Sequence, residues 1–249
     1  MIRKRVITCL TLNEGVLFRT KGFVPDYRYT QNFVDSWLVD EIILLDITRT
    51  GKLSRKSFLT AVEKFASRCF VPLTVGGGVR QLSDCEELLA AGADKVTVNT
   101  GAIEDPSLIT KIAERYGSQC VVLSIDAKEE TEGSYRVYKS FGATRTDLEA
   151  SDWAREGARR GAGEILITSI DRDGTLEGYD NRLNKLVVDS VQLPVIACGG
   201  AGKWAHFASA FLEANVSAVA TTCVFHFTEA SLSSAKKFLH SGGTLVRTS

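Results

Sequence analysis

The chain repeats itself at long range, and that restricts its fold more than any single motif. Glu41-Ile42-Ile43-Leu44-Leu45-Asp46-Ile47-Thr48-Arg49-Thr50-Gly51 aligns without a gap on Glu164-Ile165-Leu166-Ile167-Thr168-Ser169-Ile170-Asp171-Arg172-Asp173-Gly174, an offset of 123 (164 − 41). Val71-Pro72-Leu73-Thr74-Val75-Gly76-Gly77-Gly78 aligns on Leu193-Pro194-Val195-Ile196-Ala197-Cys198-Gly199-Gly200 at an offset of 122 (194 − 72). A fixed-period repeat decides architecture before local propensity does. The repeating unit here is an apolar run that ends in polar or glycine residues.

Eight such runs occur, over 6–10, 42–46, 73–75, 95–99, 121–126, 165–169, 195–197 and 218–223. Runs this short, apolar and rich in β-branched residues read as strands buried on both faces. Helical periodicity fills most of the gaps: Phe58, Ala61, Val62, Phe65 and Ala66 share one face, as do Cys85, Leu88 and Leu89, and Leu108 with Ile112. Strand and helix alternating eight times without a long linker predict one α/β domain, a (β/α)8 TIM barrel made of two half-barrels, about 1–117 and 118–249. The 249 residues suit that fold. Segments 134–138 and 139–144 read as a small hairpin inserted after the fifth strand.

Thirty basic residues balance thirty acidic ones. That lacks the excess of positive charge that non-specific nucleic-acid binding needs. No apolar run reaches the ~18 residues that span a bilayer. The basic N-terminus leads straight into the first strand and reads as that strand, not as a signal peptide. Six cysteines without C-x-x-C spacing read as buried thiols of a cytoplasmic protein. His206, His226 and His240 are isolated, so no metal is assigned and no cofactor is implied.

The candidate chemistry lies at the strands' C-terminal ends, where parallel α/β folds bind ligands. Asp126 ends an apolar strand and is the leading acid–base candidate. Asp46, Lys128, Ser169, Asp171 and Asp173 line the same rim if the strand register holds, with turn capping an equal alternative for Asp46 and Asp173. Gly77-Gly78 and Gly199-Gly200 end equivalent strands of the two halves. Glycine turns let backbone N–H groups approach an anion. Two of them, with Asn99-Thr100 and Thr222-Cys223 beside them, suggest an elongated substrate with a phosphate at each end. At the opposite rim Arg5, Glu41, Lys95 and Glu164 each begin a strand and could form a salt-bridged ring, with Asp94 on the same face.

Taken together, these segments resemble the cyclase subunit of imidazole glycerol phosphate synthase, HisF, over nearly the whole chain. The resemblance is carried by 70–79, 92–100, 102–110, 117–128, 161–175, 193–202 and 224–227. It implies a barrel that receives ammonia from a HisH-like glutaminase docked at its N-terminal face. The ammonia would react with a bis-phosphorylated ribulosyl-formimino compound. By position, the phosphate contacts fall on Gly77, Gly78, Asn99, Thr100, Gly199, Gly200 and Cys223, the ammonia gate on Arg5, Glu41, Lys95 and Glu164, and glutaminase docking on Asp94.

The acid–base pair falls on Asp126 and Thr11, and Thr11 departs from the family aspartate. A hydroxyl is a very weak base at neutral pH, and losing such a group typically costs ~10²–10⁴ in rate. Arg19 replaces a substrate-contacting lysine, to which it is not equivalent. Cys198 replaces a serine. The departures gather at the substrate end, which leaves three expectations: an active cyclase subunit, a paralogue that passes ammonia to another acceptor such as an amidino-sugar-forming enzyme of surface-polysaccharide synthesis, and, more weakly, the related phosphoribosyl-formimino isomerase.

Overall fold

The computed structural model describes residues 3–28, 39–49, 55–221 and 232–247. Its centre is a closed barrel of eight parallel strands: β1 (Arg5–Asn13), β4 (Glu41–Asp46), β5 (Leu73–Gly76), β6 (Lys95–Val98), β7 (Val121–Thr131), β10 (Glu164–Ser169), β11 (Val195–Cys198) and β12 (Ala218–Thr221). Pairing of β10 with β7 closes the ring, with Leu166 opposite Ser124 and Thr168 opposite Asp126. All eight apolar runs are strands of this barrel. Around it lie α1 (Arg55–Ala66), α2 (Leu82–Ala90), α3 (Thr100–Glu104), α4 (Ser107–Tyr116), α5 (Ala150–Arg159), α6 (Asn181–Ser190), α7 (Trp204–Glu213) and α8 (Leu232–Ser241).

Strand alternation sorts the apolar side chains into two layers. Ile7, Ile43, Val122, Leu166, Ile196 and Ala218 point into the barrel and form a small inner cluster. Their neighbours Val6, Ile42, Leu44, Leu123, Ile165 and Ile167 point outward, into the larger core against the helices. Each strand is therefore apolar on both faces, which is why the runs lack visible alternation. The last helix is tied to the first strand by a buried ion pair. Lys236 Nζ lies 2.7 Å from Asp40 Oδ1, and Asp40 Oδ2 accepts the Val6 N–H at 2.8 Å.

Two extensions rise from the C-terminal rim. β1 runs on to Asn13 and reverses at Glu14-Gly15, both at positive φ (53° and 74°), as a two-residue hairpin turn of this twist requires. It then pairs with β2 (Val16–Lys21), which pairs with β3 (Val24–Arg28). β7 likewise outruns the barrel and pairs antiparallel with β8 (Ser134–Lys139), which pairs with β9 (Thr144–Glu149). The hairpin expected over 134–144 is thus shifted. Ser140, Phe141 and Gly142 all have positive φ (54°, 60° and 72°), so they form the turn, and the second strand begins only at Thr144.

Candidate active site

The C-terminal mouth of the barrel encloses a cavity of about 260 Å³ whose lining includes Thr11, Asp126, Thr168 and Cys198 from the barrel strands and Asn99 just past the end of β6. Asp126 reaches it because the inward parity of β7 runs through Val122 and Ser124 to residue 126. Its Oδ2 accepts from Asn99 Nδ2 at 2.7 Å. Burial first, and then the negative charge of Asp173, push the Asp126 carboxyl up to about 7, with the Asn99 amide only partly opposing them. A group balanced near neutrality can both take and give a proton there. Asn99 Oδ1 and the Thr97 hydroxyl, on the same wall, are buried without a partner, so acceptor and donor capacity is left for a ligand.

Asp173 also lines the cavity. Its own N–H donates to Ser169 O at 3.1 Å, and this turn after β10 folds it back over the barrel. Its Oδ2 accepts the Phe23 N–H at 2.9 Å, and burial raises its carboxyl above the usual range while Phe23 and Thr20 oppose the shift. Thr11 faces inward beside Cys9, but its hydroxyl donates to the Phe18 carbonyl across the β1–β2 pair.

The two glycine pairs stand on strands four apart in a ring of eight, hence on opposite sides of the cavity, and all four residues line it. Gly77 and Gly78 have φ of 118° and 67°. A Cβ at Gly77 would lie 2.6 Å from the Asp46 carbonyl, whereas at Gly78 it would meet only open space. Gly200 (φ 102°) packs so closely that a Cβ would sit 2.2 Å from Gly178 O. Thr100 lines the wall next to the first pair, its hydroxyl accepting the Ser140 N–H at 3.0 Å.

The other expected residues divide between the cavity and its surroundings. Asp46 borders the cavity, with Oδ1 taking the Thr48 N–H at 3.0 Å as a turn cap. Ser169 does not face in: β10 parity puts Thr168 inside and Ser169 in the outer layer. Lys128 and Asp171 lie outside the cavity lining and pair with each other at 3.7 Å. Arg19 belongs to β2 by backbone pairing with Tyr27, and Cys223 lies outside the described residues. Thr168, Thr97, Ser124 and Phe23 are cavity residues that the sequence reading missed. Counting by twos from Asp126, or from Leu166, identifies Ser124 and Thr168; nothing local announces Phe23.

The far end of the barrel is closed by charge. Arg5 bonds Glu41 at 2.7 Å and also Glu164; Lys95 Nζ lies 2.9 Å from Glu41 and 3.0 Å from Glu164. Each cation thus bridges both carboxylates, and Thr74 adds a hydroxyl to Glu41 at 2.8 Å. Burial disfavours the charge on Arg5 and Lys95, but Glu41 and Glu164 outweigh it and hold both above their usual range. Asp94, exposed on this face, accepts the Leu73 N–H at 2.8 Å. Between ring and cavity the barrel is lined by the inner apolar cluster. Among the described residues no group of His, Cys, Asp and Glu could hold a metal ion, and no helix is long and apolar enough to cross a membrane.

Comparison with known proteins follows the same outline. A family model described as histidine biosynthesis protein matches residues 5–231. Imidazole glycerol phosphate synthase subunit HisF of Bacillus subtilis is 44% identical across 99% of this chain and the whole of the relative. The subunits of the same name from Bacillus licheniformis and Alkaliphilus metalliredigens are 44% and 42% identical, over 99% and 96% of this chain and 100% and 97% of their own lengths.

Proposed function

Because the chain belongs to the histidine biosynthesis family, among the HisF-type cyclase subunits of imidazole glycerol phosphate synthase, we propose that it draws ammonia from a glutaminase docked on the ringed face and uses it at Asp126. The glutaminase is HisH-like, and both work in the cytoplasm. The acceptor is the bis-phosphorylated ribulosyl-formimino compound, converted to imidazole glycerol phosphate and an aminoimidazole carboxamide ribotide. The observation that carries this reading is the polarity of the barrel: a charged ring at one end, a polar cavity with a near-neutral carboxyl at the other, and an apolar column between them.

The column selects the nitrogen species. An ammonium ion would lose its hydration among Ile7, Ile43, Val122 and Leu166 with no counter-charge, whereas neutral ammonia loses far less. The ring at the entrance pairs two cations with two carboxylates, so it offers an ammonium ion no net attraction to offset that loss. For ammonia to enter, one ion pair of the ring opens. Lys95, a single flexible chain with an ammonium at its end, is better suited to that than the Arg5 fork. The substrate's two phosphates lie against Gly77-Gly78 with Asn99 and Thr100, and against Gly199-Gly200. This stretches the reacting centre over Asp126.

Thr11 favours a second reading, in which ammonia is handed to another acceptor. Its hydroxyl is committed to the Phe18 carbonyl and offers no proton acceptor comparable to a carboxylate. One experiment separates the two. Purified chain, ammonia and the bis-phosphorylated substrate are mixed and product absorbance is followed. An ordinary enzymatic rate supports the cyclase and sinks the hand-over reading; tight binding of that substrate without turnover does the reverse. With the glutaminase present, Lys95→Ala is expected to leave glutamine hydrolysis running while less of the nitrogen reaches product. Unchanged coupling would remove the gate.

A further inference from the structure

Resting on the cyclase reading of the cavity, we propose that Asp173 is the proton-transfer partner of Asp126 in this chain, taking the place that the half-barrel repeat gives to position 11. Thr11 lies opposite Leu45 as Asp126 lies opposite Thr168, and Leu45 and Thr168 are repeat mates, so residue 11 is the counterpart of Asp126, an offset of 115 (126 − 11); that residue is a threonine bonded to backbone. The acids that line the cavity among the described residues are Asp46, Asp126 and Asp173. Asp46 caps its own turn through the Thr48 N–H, and it is the charge of Asp173, not that of Asp46, that acts on Asp126.

Asp173 reaches the same space from the neighbouring strand. β10 pairs with β7 so that Thr168 lies opposite Asp126, and the turn after Ser169 then returns residue 173 over the mouth. Asp171, two residues earlier, faces away to Lys128. The charged groups bordering the pair are few. Asp46 and Arg80 line the cavity. Arg49 donates to the Phe23 carbonyl at 2.7 Å, and Lys21 packs beside Gly174. No cation is bonded to Asp126 among the described contacts, so two carboxyls sharing one cavity repel when both are ionised. Near neutrality such a pair retains one proton.

A pair holding one proton suits ammonia addition to a carbonyl. As the nitrogen lone pair bonds to carbon, the carbonyl π electrons move to oxygen, which takes the proton from the acid member. The nitrogen gives a proton to the carboxylate member, so the two exchange roles. Dehydration reverses the exchange. The hydroxyl takes the proton now held by the second member and leaves as water. The nitrogen, forming C=N, returns a proton to the first. Ammonia and a carbonyl give an imine and water, and the pair ends as it began. A single carboxyl would have to serve oxygen and nitrogen one after the other, whereas a pair serves both at once.

Carboxyl ¹³C NMR of aspartate-labelled chain, with Asp126→Asn and Asp173→Asn used for assignment, tests the pair without substrate. Two coupled titration steps are expected, and Asp173→Asn is expected to lower the Asp126 midpoint by about one pH unit. An Asp126 midpoint that does not move overturns the proposal. In the ammonia-dependent assay, Asp173→Asn keeps an acceptor for the Phe23 N–H, so a residue that merely anchors the hairpin would survive it. The expectation is instead a kcat loss of roughly 10²–10⁴-fold, KM within a few-fold, and loss of one limb of the pH profile. Asp147→Asn, fully exposed on β9, serves as the unaffected control. Full kcat in Asp173→Asn also overturns the proposal. A wild-type chain that does not turn over this substrate removes the cyclase reading instead, and the NMR titration then decides the pair by itself.

Discussion

Asp126 pays for its readiness to exchange protons. Its carboxyl, pushed to about 7 by burial and by Asp173, holds a proton more tightly folded than unfolded. Its favourable contribution to stability is therefore complete below the ordinary carboxylate range, near pH 4, and is lost as pH rises through 7. Asp126→Asn removes the ionisation and keeps an acceptor for Asn99. The variant is expected to melt at higher temperature than wild type at pH 8, with the difference fading towards pH 4. Equal melting at both would mean that Asp126 is ionised without strain. The sequence made this residue legible because it ends an apolar run. It did not make its neighbours legible: Thr168 and Ser169 are adjacent polar residues, and only the parity of β10 decides that the first faces the cavity and the second the outer core.

At the scale of elements, the barrel is locked by parts that carry no chemistry. The Lys236–Asp40 pair joins α8 to the start of β1, with side chains 9% and 6% exposed. Removing one partner leaves a buried charge, which typically costs about 3–5 kcal/mol. Lys236→Met is expected to lower stability by about that much and to speed hydrogen exchange at the Val6 amide, whose acceptor is Asp40. Asp40→Asn combined with Lys236→Met should recover part of the loss, which chemical denaturation would measure. The strands were readable from short β-branched runs, because burial on both faces leaves nothing else for such runs to be. The two rim extensions were less so. β1–β2 turns at Glu14-Gly15, and β8–β9 at three consecutive positive-φ residues, two of them not glycine. Propensity places Ser140 and Phe141 in extended backbone; pairing with β7 and contacts such as Thr100 to Ser140 override it.

For the whole molecule, the ring that closes the barrel is a unit. Each of its cations is shared by two carboxylates, so Lys95→Met deprives both Glu41 and Glu164, whose side chains are only 2% and 8% exposed. A loss of about 3 kcal/mol or more is expected in urea unfolding of the isolated chain, and Glu164→Gln added to Lys95→Met should cost less than the sum of the two single changes. Strict additivity would show that the four side chains act separately. The repeat announced the architecture and its two faces, since Glu41 and Glu164 are themselves repeat mates. The ring does not obey the repeat throughout. The mate of Lys95 is Ala218 and that of Arg5 is Cys120. A faithful duplication would set four cations against two carboxylates; keeping one cation from each kind leaves the ring neutral. The scaffold retains its approximate two-fold axis, while its floor does not. A partner docked on that floor would meet arginine on one side and lysine on the other. Its two half-turn-related orientations would then no longer be equivalent in energy.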